Sequence, residues 1–207
     1  ALGVLQDELR ALHIAALQPE KKDLADAPEV QDIVALLDAL VSPAHDLSLA
    51  RALKSPLFGV PDDALVQLAL LKREAQARKE AVSWFDLLQK QERLTQPLRG
   101  LGPVLLEWQG WVAALPPHDA LAAIFHAAEV PARFAAAAPA ALRPSVLANL
   151  GALLGAALQL DGGRFLTPYA LVRALRSGGA GGARAPALAG EGVVRLLTVH
   201  GAKGLEA

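Results

Sequence analysis

Residues 193–206 read V-V-R-L-L-T-V-H-G-A-K-G-L-E, and the fold of the rest of the chain hangs on them. Val193, Val194, Leu196, Leu197 and Val199 make an apolar, β-rich run interrupted by Arg195, which predicts a buried strand. The character then changes. Thr198, His200, Lys203 and Glu206 place a hydroxyl, an imidazole, an ammonium and a carboxylate within nine residues, while Gly201 and Gly204 let backbone come close to a ligand. In a sheet flanked by helices, ligands bind where strands end and helices begin, because free N–H groups and the helix dipole converge there. A phosphate is the natural guest of such a turn. The plainer alternative is a strand-to-helix turn that only caps its helix. A G-x-x-x-x-G-K-[ST] phosphate loop cannot be laid over the stretch.

The wording T-V-H-G-A-K-G-L-E resembles motif V of the UvrD/Rep-type superfamily 1 DNA helicases. Its G-A-K-G-L-E-A portion is most similar to the RecB/AddA (exodeoxyribonuclease V beta-like) helicase-nuclease branch. Four polar positions and two glycines match at fixed spacing. A second stretch carries the same resemblance: residues 29–32, E-V-Q-D, followed by residues 46–59, D-L-S-L-A-R-A-L-K-S-P-L-F-G. In that family this segment leaves motor domain 2A and enters the inserted domain 2B.

The resemblance implies a chain running from the end of motif IV, through domain 2B, to the start of motif V. Residues 1–44 would be a partial RecA-like domain 2A and residues 45–176 a helical 2B-like domain. Residues 177–192 would be a Gly-rich linker, and residues 193–207 the motif V strand and the start of its helix, back in domain 2A. The expected fold class is therefore mainly α, with a helical 2B-like domain inserted in a partial α/β RecA-like motor domain. The implied function is that of part of an ATP-dependent DNA helicase/exonuclease subunit, one that translocates on single-stranded DNA and unwinds duplex for recombination and double-strand-break repair. By family likeness Thr198 and His200 touch the single-strand phosphate backbone, Gly204 and Glu206 face the nucleotide, and Lys203 supports the loop or pairs with an acidic neighbour. ATP and Mg²⁺ are the cofactors implied for the parent protein. The implied partners are single- and double-stranded DNA and a partner subunit of an AddAB- or RecBCD-like complex.

The sequence has no Walker A lysine, no acidic motif for metal and attacking water, no arginine finger and no nuclease domain. No catalytic residue and no metal site are expected within it, and the chain by itself is expected to be inactive. The alternative function is a non-catalytic helical module that binds a partner subunit or duplex DNA. An unrelated α-helical adaptor is a third reading.

Composition sets the remaining bounds. With 207 residues and 53% hydrophobic content the chain can bury a substantial core. Alanine and leucine dominate and aromatics are 4%, so the bulk should be helical. No apolar stretch reads as long and uninterrupted enough to cross a bilayer, and no signal-peptide pattern opens the chain, so a soluble cytoplasmic protein is expected. The lack of cysteine excludes disulfides and cysteine-based zinc sites. A net charge of -1 argues against an overall basic nucleic-acid-binding domain, leaving DNA contact to local patches. The absence of methionine and the end at Ala207, within an opening helical turn, suggest a piece of something longer.

Periodicity fills in the body. Residues 2–12 read as a short helix, 13–17 as a possible strand and 18–26 as a loop. A helix opening at Pro28 carries one apolar face through Val30, Ile33, Val34, Leu37 and Leu40, and stops at Ser42-Pro43. Asp46 reads as the N-cap of the next helix, whose Leu47, Leu49, Ala50 and Leu53 point inward. Arg51 and Lys54 suit DNA phosphates or plain solvation, and so does the mixed run 72–80, where Glu74 and Arg78 stand at i, i+4. Further helices are expected after Pro61, after Ser83, over 103–115 and over 120–128 behind a His118-Asp119 cap, from Pro144 and from Thr167-Pro168. Residues 132–142 read as alanine bias broken by Pro139. Trp108 and Trp111 share a helical face, which suits a core or, if exposed, base stacking; the core is favoured for want of flanking cations. His126 has no second ligand at metal spacing and reads as structural.

Overall fold

The computed structural model describes residues 23–159 and 167–176 continuously, with residues 5, 8, 9, 12, 14, 16, 17 and 194–196 nearer the ends. The fold is mainly helical. A single helix, α1 (Pro28–Val41), organises it. Pro28 begins α1 at a position where a missing N–H costs nothing, and Ser42 ends it. The periodicity predicts one buried face, but the structure buries the whole circumference: Val30 and every residue from Ile33 to Leu40 lie inside. Such a helix needs neighbours on all sides. α2 (Asp46–Lys54), α5 (Leu101–Ala114), α8 (Arg143–Gln159) and α9 (Pro168–Arg176) supply them.

Polar groups fasten this packing. Glu29, buried at the start of α1, accepts from Asn149 of α8 at 2.6 Å. Gln109 of α5 donates to the Leu40 carbonyl at the other end, at 3.2 Å. The closest helix pairing in the body, α1 on α2, runs across the expected domain boundary at 44–45. Among the described residues the all-helical body thus starts at Pro28, not near residue 45. Ahead of it, the expected loop 18–26 contains a short 3-10 turn, Leu24–Asp26, because Leu24 is drawn into the core.

Asp46 is not an N-cap of α2. It occupies the first helical position, behind His45. Leu49 and Leu53 are buried as expected, but Leu47 is 86% exposed, since it points away from α1. The turn 55–59 is held by Ser55, whose buried hydroxyl donates to the Ala52 carbonyl at 2.6 Å, and it closes at Gly59 with φ 61, a conformation natural to glycine. α3 (Asp62–Ala77) buries Leu65 and Leu68. α4 (Trp84–Gln89) begins at a capping box in which the Ser83 hydroxyl and the Asp86 carboxylate serve each other's backbone N–H groups.

α6 (Pro117–Ala127) begins behind Pro116, so His118 and Asp119 lie inside its first turn rather than capping it. The alanine-rich stretch makes a true helix, α7 (Val130–Ala137), because Val130 and Phe134 are buried anchors within it. α8 departs from expectation too. The run Ala140–Gln159, a 3-10 turn continued by α8, is long and apolar enough to span a membrane by length and composition, although Leu150, Leu153, Ala156 and Ala157 face the core. α9 opens where Thr167 accepts the Ala170 N–H at 3.1 Å, and buries Leu171, Val172 and Leu175. At the ends of the chain β1 (Ala16–Leu17) pairs in parallel with β2 (Val194–Arg195), Ala16 opposite Val194 and Leu17 opposite Arg195.

Candidate functional site

The strand expected at the head of the motif is present at β2, and Leu196 just beyond it is buried. Parallel strands need a long crossover, and here the crossover contains the entire helical body. Residues near the two ends of the chain therefore meet at one small ladder. Thr198, His200, Lys203, Gly204 and Glu206 lie outside the described residues, as does the expected linker 177–192.

The cations singled out in the body are largely neutralised by the chain's own carboxylates. Arg51 donates to Asp32 at 2.8 Å, and Lys54 lies 2.6 Å from Asp62. Lys72 pairs with Asp46. The expected Glu74–Arg78 pair does not form: the helix stops at Ala77, and Lys79 at φ 61 turns the chain, so that Arg78 meets Glu80 at 2.8 Å. Glu74 instead takes Arg93 at 2.9 Å. Among the described residues Arg73 and Lys79 make no ion pair. Exposed pairs of this kind contribute little to stability, but they remove free charge from a phosphate-binding face. The run 72–80 is thus closer to a locally compensated, solvated face than to a duplex-binding patch.

The indole pair separates. Trp108 is buried and tilts against Phe58 with ring centroids 5.8 Å apart, whereas Trp111 is half-buried at the edge of the same core. The core reading holds for Trp108. His126 is exposed rather than built into the core. An open groove of about 480 Å³ runs past Lys72, Glu80, Val82, Ser83 and Asp86. Its polar groups are already engaged, Lys72 with Asp46 and Ser83 with Asp86, which leaves no activated nucleophile in it.

Sequence reasoning missed the densest polar junction in the body. Asp38 of α1 is almost fully buried, and one of its oxygens accepts from Ser48 at 2.6 Å, His45 Nδ1 at 2.9 Å and Arg176 at 2.9 Å. Burial pushes the Asp38 carboxyl up, but the hydrogen bonds from Ser48 and His45 and the charge of Arg176 outweigh it and hold the group below the usual carboxylate value. Asp32 goes the other way, raised by burial more than Arg51 lowers it. No spacing in the sequence announces a contact between residues 138 positions apart.

No protein-family model matches the chain. Curated relatives do. The chain is 28% identical over 208 residues to AddA, the larger name-bearing chain of the ATP-dependent helicase/nuclease, from Desulforudis audaxviator, a match covering 99% of this chain and 16% of that protein. It is 26% identical over 209 residues to the protein of the same name in Anoxybacillus flavithermus, covering 99% and 17%. The match to the Bacillus velezensis protein of that name is 26% over 207 residues, covering 98% and 16%. The chain spans about one sixth of the length of these relatives. It is therefore homologous, along nearly its whole length, to a stretch of the ATP-dependent helicase/nuclease protein AddA, as the resemblance to the RecB/AddA branch of the UvrD-type helicases implies.

Proposed function

We propose that this chain is the portion of an AddA-type DNA helicase-nuclease in which a helical 2B-like body is inserted into a RecA-like motor domain. The observation that carries the reading is the match over nearly the full chain to relatives of one name, ending in the T-V-H-G-A-K-G-L-E motif. The parallel pairing of β1 with β2, on either side of the helical body, supports the insertion. In this reading the parent translocates on single-stranded DNA, unwinds duplex in recombination and break repair, resides in the cytoplasm and works beside an AddB- or RecBCD-like partner.

ATP and Mg²⁺ belong to the parent, and the donor set of this chain does not fit them. The sequence lacks a G-x-x-x-x-G-K-[ST] loop, and the described residues include no group of three His, Cys, Asp or Glu placed to hold a metal. No hydrolytic step is routed through this chain, which alone is expected to leave ATP intact. Its contribution is the motif V loop. Thr198 and His200 would donate to single-strand phosphates, Gly204 and Glu206 would meet the nucleotide, and Lys203 would brace the turn.

The test is a pair of titrations on the full-length parent: single-stranded DNA without nucleotide, and nucleotide without DNA. His200→Ala is expected to weaken DNA binding by the equivalent of about 0.5–3 kcal/mol, one neutral to charge-assisted hydrogen bond, and to spare nucleotide affinity. Glu206→Ala is expected to do the reverse. If both substitutions weaken the same ligand by the same factor and spare the other, the assignment of two ligands to one loop is wrong.

A further inference from the structure

α9 has nine residues, too few to stay helical in water by itself, so its shape depends on docking. Its main packing partner is α1, reached by the buried Leu171, Val172 and Leu175 and by Arg176. The ion pair is asymmetric. The Asp38 side chain is 5% exposed and fixed within the body, whereas the Arg176 side chain keeps 47% of its surface in water. Ser48 and His45 donate to the same Asp38 oxygen that Arg176 reaches. The carboxylate therefore keeps two donors when Arg176 leaves, and undocking does not strand a bare buried charge, the event that makes breaking a buried pair so costly.

We propose that α9 is a latch that undocks from α1 as a unit smaller than the whole fold, and that the Asp38–Arg176 pair sets its docked population. The inference rests on packing alone and stands or falls independently of the helicase reading. Its consequence is positional. α9 is the last described helix before β2, so its docked state fixes the point from which the chain leads to the motif V strand.

The experiment is native-state hydrogen exchange on the 207-residue chain over a series of sub-denaturing urea concentrations. The amides of α9 should exchange faster than those of α1 and depend more weakly on urea, because a smaller surface opens. Arg176→Ala should speed exchange across α9 by about tenfold or more, the loss of a charge-assisted hydrogen bond. Arg173→Ala is the control: it makes the same change in helix propensity at an exposed position of α9, and it should leave those rates within about twofold. Either of two results would overturn the latch: α9 amides sharing the rate and urea dependence of α1, or Arg173→Ala acting as strongly as Arg176→Ala.

Discussion

The carboxylate of Asp46 accepts the backbone N–H of Trp84 at 2.8 Å, across 38 positions of sequence, while its other oxygen pairs with Lys72. Asp46 lies in the first turn of α2, where a negative charge is favourable, and Trp84 is the first residue of α4, whose N–H has no partner within its own helix. One acidic side chain thus serves the N-termini of two helices and anchors a third, α3, through Lys72. Asp46→Ala should cost about 1–3 kcal/mol, because it leaves the Trp84 N–H and the half-buried Lys72 without their acceptor. Asp46→Asn keeps an acceptor for Trp84 and should cost less. Urea midpoints of the two variants decide the matter: an equal loss would assign the effect to Lys72 rather than to the start of α4.

Asp46 also shows what the sequence does and does not reveal. Helix existence follows from local pattern, and the openings at Pro28, Ser83 and Thr167 stand where the sequence places them. Partners do not follow from local pattern. Asp46 was legible as a helix-start residue, but the helix whose N–H it accepts is a later one. α1 reads as amphipathic with one buried face, yet it is enclosed on every side because α8 and α9 return to it from more than a hundred residues away. The Glu74–Arg78 pair fails for a related reason: i, i+4 spacing counts only while the helix continues, and α3 ends at Ala77. The motif V residues are legible as chemistry in sequence alone, since Thr198, His200, Lys203, Gly204 and Glu206 lie outside the described residues.

The lowered Asp38 carboxyl makes an acid-sensitive contribution to stability. Its pKa in the folded chain lies below the unfolded reference of 3.8, so the folded state binds the proton less readily. That contribution is complete above the reference value and is lost as pH falls through the lower, folded value. Asp32 opposes it: with a raised pKa, its protonation favours the folded state as pH falls. Comparing the chain with its Asp38→Asn variant isolates the first group. The stability gap between them should be widest near neutral pH and should narrow as pH falls from about 5 to about 3. A gap that stays constant through that window would mean that Asp38 titrates alike in the folded and unfolded chains.

The two clustered indoles should behave differently. Trp108→Ala empties a buried site against Phe58 and should cost about 3–5 kcal/mol, as large-to-small changes of aromatic core residues do. Trp111→Ala, at the edge of the core, should cost less, about 1–2 kcal/mol. Iodide quenching read on single-tryptophan variants provides a second check, with Trp108 shielded and Trp111 accessible. Equal quenching of the two would contradict the burial difference.

Glycine replacements should have opposite signs at different places in the body. At Gly102, in the first turn of α5, an added Cβ would lie 2.2 Å from the Leu88 carbonyl oxygen and 2.7 Å from its carbon. The neighbour is backbone, not a flexible side chain, and it has little freedom to retreat. α4 is fixed at its start by the Ser83 capping box, and Gln89 at its end donates to the Gly102 carbonyl at 3.1 Å. Gly102→Ala should therefore destabilise by about 1–3 kcal/mol or more, since the two helices must separate to admit a methyl group. On α8, a Cβ at Gly151 or Gly155 meets nothing within 4 Å. There alanine restricts the unfolded chain and suits the helix better, so each replacement should stabilise by roughly 0.5–1 kcal/mol. Thermal melts of the three single variants check the contrast: the midpoint should fall for Gly102→Ala and rise for the two α8 variants. A Gly102→Ala chain as stable as the parent would mean that α4 and α5 do not approach as closely as this packing requires.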